Sequence, residues 1–77
     1  MNQNENNMLT LSSEAISAEV GVLGSMLIDE AAVGPVMMAV SEEDFLTQEA
    51  KRVFQAIRDR SARGEPVDPL LVAADLG

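Results

Sequence analysis

The sequence predicts an all-α fold, a small orthogonal bundle of about five helices. Three observations carry that expectation. Apolar residues recur at three- and four-residue spacing, no stretch sustains the alternation of a half-buried strand, and Ser, Thr or Asp stands just before each apolar run. The chain has 77 residues, room for one domain at most. A domain of this size buries only about 60% of its unfolded surface, so its stability is expected to be marginal. Residues 1–12, rich in asparagine, read as a mobile polar lead, and 13–77 as the helical unit.

The first helix is predicted from Ser17 to Ile28, with Ser17 as its cap and Glu19 suited to the positive helix end. Ile16, Val20, Leu23 and Leu27 define its buried face, while Ala18, Gly21 and Ser25 line most of the opposite side. Each interior glycine costs about 1 kcal/mol against alanine. Close approach of another backbone is the candidate compensation for Gly21, and simple tolerance is the alternative.

Asp29 ends this helix and caps a second, whose buried face is Val33, Val36, Met37 and Val40. Pro35 either opens the main helix after a break at Gly34 or kinks a continuous one; the proline preference for a first turn favours the break. Ser41 to Asp44 reads as a shortened capping box, followed by Phe45 and Leu46 as buried anchors of a brief turn.

Thr47 caps a helix from Gln48 to about Arg63 with Ala50, Val53, Phe54, Ile57 and Ser61 inside. Gln48, Arg52, Gln55, Asp59 and Arg63 lie outside, with Asp59 placed to pair with Arg63 four residues on. Gly64 supplies the left-handed closing residue and Pro66 prevents the helix resuming. Asp68-Pro69 restarts the chain as cap and first helical residue, and Leu70, Leu71, Val72 and Leu76 follow.

Composition removes several function classes. There is no cysteine for a disulfide or thiolate site and no histidine for proton shuttling or metal ligation. Without histidine the serines lack the base a nucleophilic triad needs. The consecutive acids Glu42, Glu43 and Asp44 fan out around a helix instead of converging on a metal. No phosphate loop of the form Gly-x-x-x-x-Gly-Lys-Ser/Thr occurs. Thirteen acids oppose five bases, for a net charge of −8, and all five bases lie between Lys51 and Arg63. Such a surface disfavours nucleic acid and reads first as solubilising, with an acidic docking face as the alternative. The apolar stretches are too short for a bilayer and the start is unlike a signal peptide, so the chain reads as soluble and cytoplasmic.

Four fragments in register carry a resemblance. Ala18-Glu19-Val20-Gly21-Val22-Leu23-Gly24-Ser25-Met26-Leu27-Ile28-Asp29 resembles the opening helix of the DnaB-type replicative helicase family. Ser41-Glu42-Glu43-Asp44-Phe45 is similar to that family's acid-Asp-Phe turn, and Val53-Phe54-Gln55-Ala56-Ile57 to its next helix. Gly64-Glu65-Pro66-Val67-Asp68 is similar to its Gly-x-Pro-Ile/Val-Asp segment, with Leu71-Val72-Ala73 following in step. The resemblance implies the helical head of a helicase N-terminal domain. That head packs into the collar of a six-membered ring, communicates with primase or a helicase loader, and carries no catalytic or cofactor residues. ATP and magnesium would belong to a motor domain outside this sequence, as would the helical hairpin and linker that follow the head.

The candidate interaction surface is Met37, Met38, Leu70, Leu71 and Leu76. The methionines suit an adaptable partner surface, with core or edge filling as the plainer reading. The leucines form an apolar last helix with nothing after it in this sequence, which predicts weak self-association. Two other classes compete. A free-standing helical adaptor would share every feature above. An acyl-carrier-like protein needs Asp-Ser-Leu/Met at a helix start, whereas Ser25 follows glycine inside an early helix.

Overall fold

The computed structural model describes the backbone from Gln3 to Gly77 and side chains from Ser13 onward. Among the described residues there are four α-helices, two 3₁₀ turns and no strand: α1 (Gln3–Ile28), a turn at Glu30–Ala32, α2 (Val33–Ala39), a turn at Glu42–Asp44, α3 (Gln48–Ala62) and α4 (Pro69–Leu76). The all-α expectation holds, with two of the predicted segments shortened to 3₁₀ turns. α3 is the centre, packing against α1, α2 and α4.

The junctions follow their cap chemistry. The Asp29 carboxylate accepts the Ala31 amide at 3.0 Å and starts the first 3₁₀ turn. That turn runs directly into α2 with Ala32 and Val33 both in right-handed helical conformation, so the expected break at Gly34 is absent and Pro35 does not open the helix; it sits in the first turn of α2, where its missing amide costs little. The Asp44 carboxylate accepts the Ser41 amide at 2.8 Å, the return half of the predicted capping box. Thr47 caps α3 by accepting the Ala50 amide at 3.1 Å, and Asp68 caps α4 by accepting the Leu71 amide at 2.9 Å.

At the far end of α3, Gly64 has φ +69°, the left-handed conformation expected of it. The Glu65 amide donates to the Arg60 carbonyl at 2.9 Å and the Gly64 amide to Ser61 at 3.1 Å, completing a Schellman closure.

The core joins Leu23 and Met26 of α1 to Val33, Phe45, Ala50, Phe54, Ala56, Ile57, Val67 and Val72. Phe45 and Phe54 meet with ring centroids 5.0 Å apart and planes tilted by 41°, a favourable aromatic arrangement. The predicted inner stripe of α3 is largely correct: Ala50, Phe54 and Ile57 are buried and Val53 half-buried.

Several expectations are overturned. α1 begins at Gln3, so Ser17 is inside the helix and caps nothing. The expected polar lead covers residues whose side chains lie outside the described ones. The buried face of α1 is turned by about one residue: Glu19, Leu23 and Met26 are buried, while Ile16 and Val20 are exposed. Nearly every side of this helix offers apolar side chains, so spacing alone underdetermines its orientation. Among the described residues, no atom beyond the local helix backbone lies within 4 Å of where a methyl group on Gly21 or Gly24 would sit, so no second backbone segment approaches there and the glycines are simply tolerated.

Leu46 is 62% exposed and only Phe45 of that pair anchors the turn. Ser61 is exposed, and Arg60 takes its place on the inner side of α3. Asp59 does not pair with Arg63. Asp59 lies 3.6 Å from Arg58, and Arg63 donates to Glu65 at 2.9 Å because the chain has already turned at Gly64.

Candidate docking surface

The expected interaction residues fall on two helices that each pack against α3. On α2, Met37 is half-buried and lines a cleft of about 420 Å³ with Val40, Phe54 and Arg58, whereas Met38 is 91% exposed. On α4, Leu70 is 83% exposed, while Leu71 and Leu76 are half-buried. The remaining residue of that apolar set, Val72, is fully engaged in the core. α4 therefore docks through Val72 and leaves Leu70 outward, so only part of its apolar surface is open. Ile16, Val20, Ile28 and Leu46 add exposed apolar side chains; spacing would have turned Ile16 and Val20 inward, and Leu46 was expected as a buried anchor.

α4 is held by a polar node invisible to apolar periodicity. The Arg60 guanidinium, nine-tenths buried, donates to both oxygens of Asp75, at 2.6 and 3.0 Å, and to the Pro66 carbonyl at 3.3 Å. Its Nη1 lies 3.4 Å from Glu65. The hydrogen bond from Arg60 holds the Asp75 carboxyl below the ordinary aspartate range, and Arg63 does the same for Glu65. Arg52 donates to the Leu76 carbonyl at 3.1 Å, meeting the negative end of α4. The signal available in sequence was modest: Arg60 follows Ile57 by three residues, on the edge of the stripe, with acids at Glu65 and Asp75.

Two acids that composition assigns to a solubilising surface act instead as long-range ties. Glu30 accepts the Val67 amide at 2.7 Å, and Glu19 accepts the Leu46 amide. Val67 and Leu46 immediately precede the cap residues Asp68 and Thr47. Each carboxylate therefore fixes the chain at the point where it enters a helix, across 37 and 27 residues of sequence respectively. Glu42 accepts from Gln55 and lies 3.5 Å from Arg58, whereas Glu43 and Asp44 both accept from the Ser41 hydroxyl, at 3.1 and 3.3 Å, so only Glu42 turns away from the other two. Among the described residues no set of acidic side chains is gathered to hold a metal ion.

Residues 11–77 match the family model of the DnaB-like helicase N-terminal domain. The chain belongs to that family. It is similar to the replicative DNA helicase DnaB of Mycobacterium leprae (strain TN), with 39% identity over 61 residues, 79% of this chain and 10% of that protein. It is also similar to the replicative DNA helicase DnaB of Geobacillus stearothermophilus, with 38% identity over 63 residues, 82% of this chain and 14% of that protein. The chain thus spans about a tenth to a seventh of the length of these DnaB relatives. No solved structure gives a significant match. Among the described residues no helix is long and apolar enough to cross a membrane.

Proposed function

We propose that this chain is a non-catalytic assembly and partner-docking domain of a replicative DNA helicase. The observation that carries the reading is the match to the DnaB N-terminal domain over residues 11–77, in a sequence without a phosphate loop. The exposed apolar side chains of Met38 and Leu70 support it, because they suit contacts with protein better than with water. In this reading the domain contributes to the collar of a hexameric ring and offers a contact for primase or a loader. ATP hydrolysis and DNA translocation belong to a motor domain. The net charge of −8 disfavours direct binding to phosphate backbones.

The test is sedimentation equilibrium of the chain over a wide concentration range. The apparent mass should rise with concentration, and Leu70→Asp should hold it at the monomer without changing the melting temperature, because Leu70 is outward-facing. A constant monomer mass in both proteins removes self-assembly from the reading. Turnover of ATP by the pure chain would overturn the non-catalytic assignment.

A further inference from the structure

Between α1 and the segment that enters α3 runs a groove of about 310 Å³. Ala18 and Val22 form one wall, Val40, Phe45 and Leu46 the other, and the exposed surface is almost entirely apolar. Glu19 belongs to this groove and is itself nine-tenths buried. One of its oxygens accepts the Leu46 amide. The other, Oε2, is buried without a hydrogen-bond partner among the described residues.

A buried carboxylate oxygen is costly to leave unmatched, since removal from water is offset only by a donor or an opposite charge. Everything lining the groove comes from the half of the chain that contains no base, and Asp44 adds a second carboxylate. Within this protein the cations are mostly committed. Arg52 binds the Leu76 carbonyl, and Arg58, Arg60 and Arg63 are paired with acids. A second copy of the chain could offer the groove Lys51, which makes no side-chain hydrogen bond or ion pair among the described residues, but no uncommitted arginine.

We propose that the groove docks a basic segment of a separate partner protein, which seats one arginine there. The aliphatic stem lies along Val22, Phe45 and Leu46, and a small opening of the groove wall brings the guanidinium to Oε2 of Glu19, which is closed to solvent in the unbound chain. Arginine fits better than lysine because its stem covers apolar surface while its several N–H groups can serve both Glu19 and Asp44. This rests on the docking role proposed above and adds to it the chemistry of the partner.

The probe is the blocked peptide acetyl-Ala-Leu-Arg-Leu-Ala-amide, compared with its citrulline twin, whose side chain has the same shape without the charge. Both are titrated into the ¹⁵N-labelled chain at low salt, and amide shifts are followed. The arginine peptide should shift Val22, Phe45 and Leu46 saturably, and the citrulline peptide should bind about tenfold more weakly, as for loss of a charge-assisted hydrogen bond. Glu19→Gln should remove that preference while leaving any diffuse attraction to the acidic surface intact.

Should Glu19→Gln fail to fold, Leu46→Ala decides, because it preserves the backbone amide bound to Glu19 and thins the groove wall. It should weaken the arginine peptide about threefold, as for a partly exposed apolar contact. Equal binding of the two peptides, shifts confined to other surfaces, no shift at millimolar peptide, or an arginine preference that survives Glu19→Gln would each overturn the proposal. The sedimentation experiment is independent of this result. A chain that assembles but shows no groove shift loses the arginine site and keeps its assembly role.

Discussion

α1 and α3 are neighbours in the same core, yet they reach their orientation by different routes. In α3 charged and polar residues occupy the solvent side so consistently that Ala50, Phe54 and Ile57 could only turn inward. In α1, from Ala15 to Ile28, apolar or small residues face almost every direction, and Glu14 and Glu19 are the only charges from Ser13 to Ile28. The side that becomes buried there is the one bearing Glu19, whose carboxylate reaches the Leu46 amide, while Ile16 and Val20 remain outside. Periodicity is thus decisive when the two sides of a helix contrast in polarity. Where they do not, a single polar tie to another segment can select the face.

The sharpest way to break this comparison is at the centre of α3. Phe54 is 2% exposed and packs on Phe45, so Phe54→Ala should cost about 3–5 kcal/mol. In a domain this small that approaches the whole stability, and urea or thermal unfolding would show it. An unchanged melting temperature would mean that the inner stripe of α3 is misassigned.

A smaller effect should come from the polar node that fastens α4. Asp75 has its carboxyl lowered in the folded state by the Arg60 hydrogen bond. The stabilisation is therefore complete above the unfolded aspartate value of about 3.9, and it is lost as pH falls through the lowered folded value. Asp75→Asn should reduce stability at neutral pH and flatten part of the acid limb of the stability curve. Parallel acid limbs for the two proteins would show that the Arg60–Asp75 contact contributes little to folding.

The exposed side of α1 should respond in the opposite sense. Gly21 lies inside a helix with open space where a methyl group would project, so Gly21→Ala should stabilise the chain by about 0.5–1 kcal/mol. A destabilising result would point to a close contact on that face. The smallest effect belongs to Val20, which is 64% exposed: Val20→Thr should stay within about 0.5 kcal/mol of the parent protein. A loss comparable to Phe54→Ala would place Val20 in the core and restore the face expected from spacing.

Much of the architecture was legible because its signals are local. Asp29, Thr47 and Asp68 are caps whose oxygens meet amides two or three residues away, and Gly64 turns at the residue where α3 ends. The family resemblance was legible for a related reason, since its fragments are short and ordered along the chain. The candidate surface was legible only in part. That Met38 and Leu70 stay outward while Met37, Leu71 and Leu76 are half-buried depends on how α2 and α4 settle against α3.

By itself the sequence determined an all-α chain, the caps at Asp29, Thr47 and Asp68, the inner face of α3 and membership of the helicase N-terminal family. Each of these rests on spacing, capping or the order of short motifs. Tertiary structure alone decided which side of α1 is buried, why Glu19 and Arg60 are inside, and that Glu30 reaches the Val67 amide across 37 residues. The physical reason is that a carboxylate or guanidinium carries no local mark of its partner. Whether it is left in water or drawn inside depends on a donor or acceptor that only folding brings within reach.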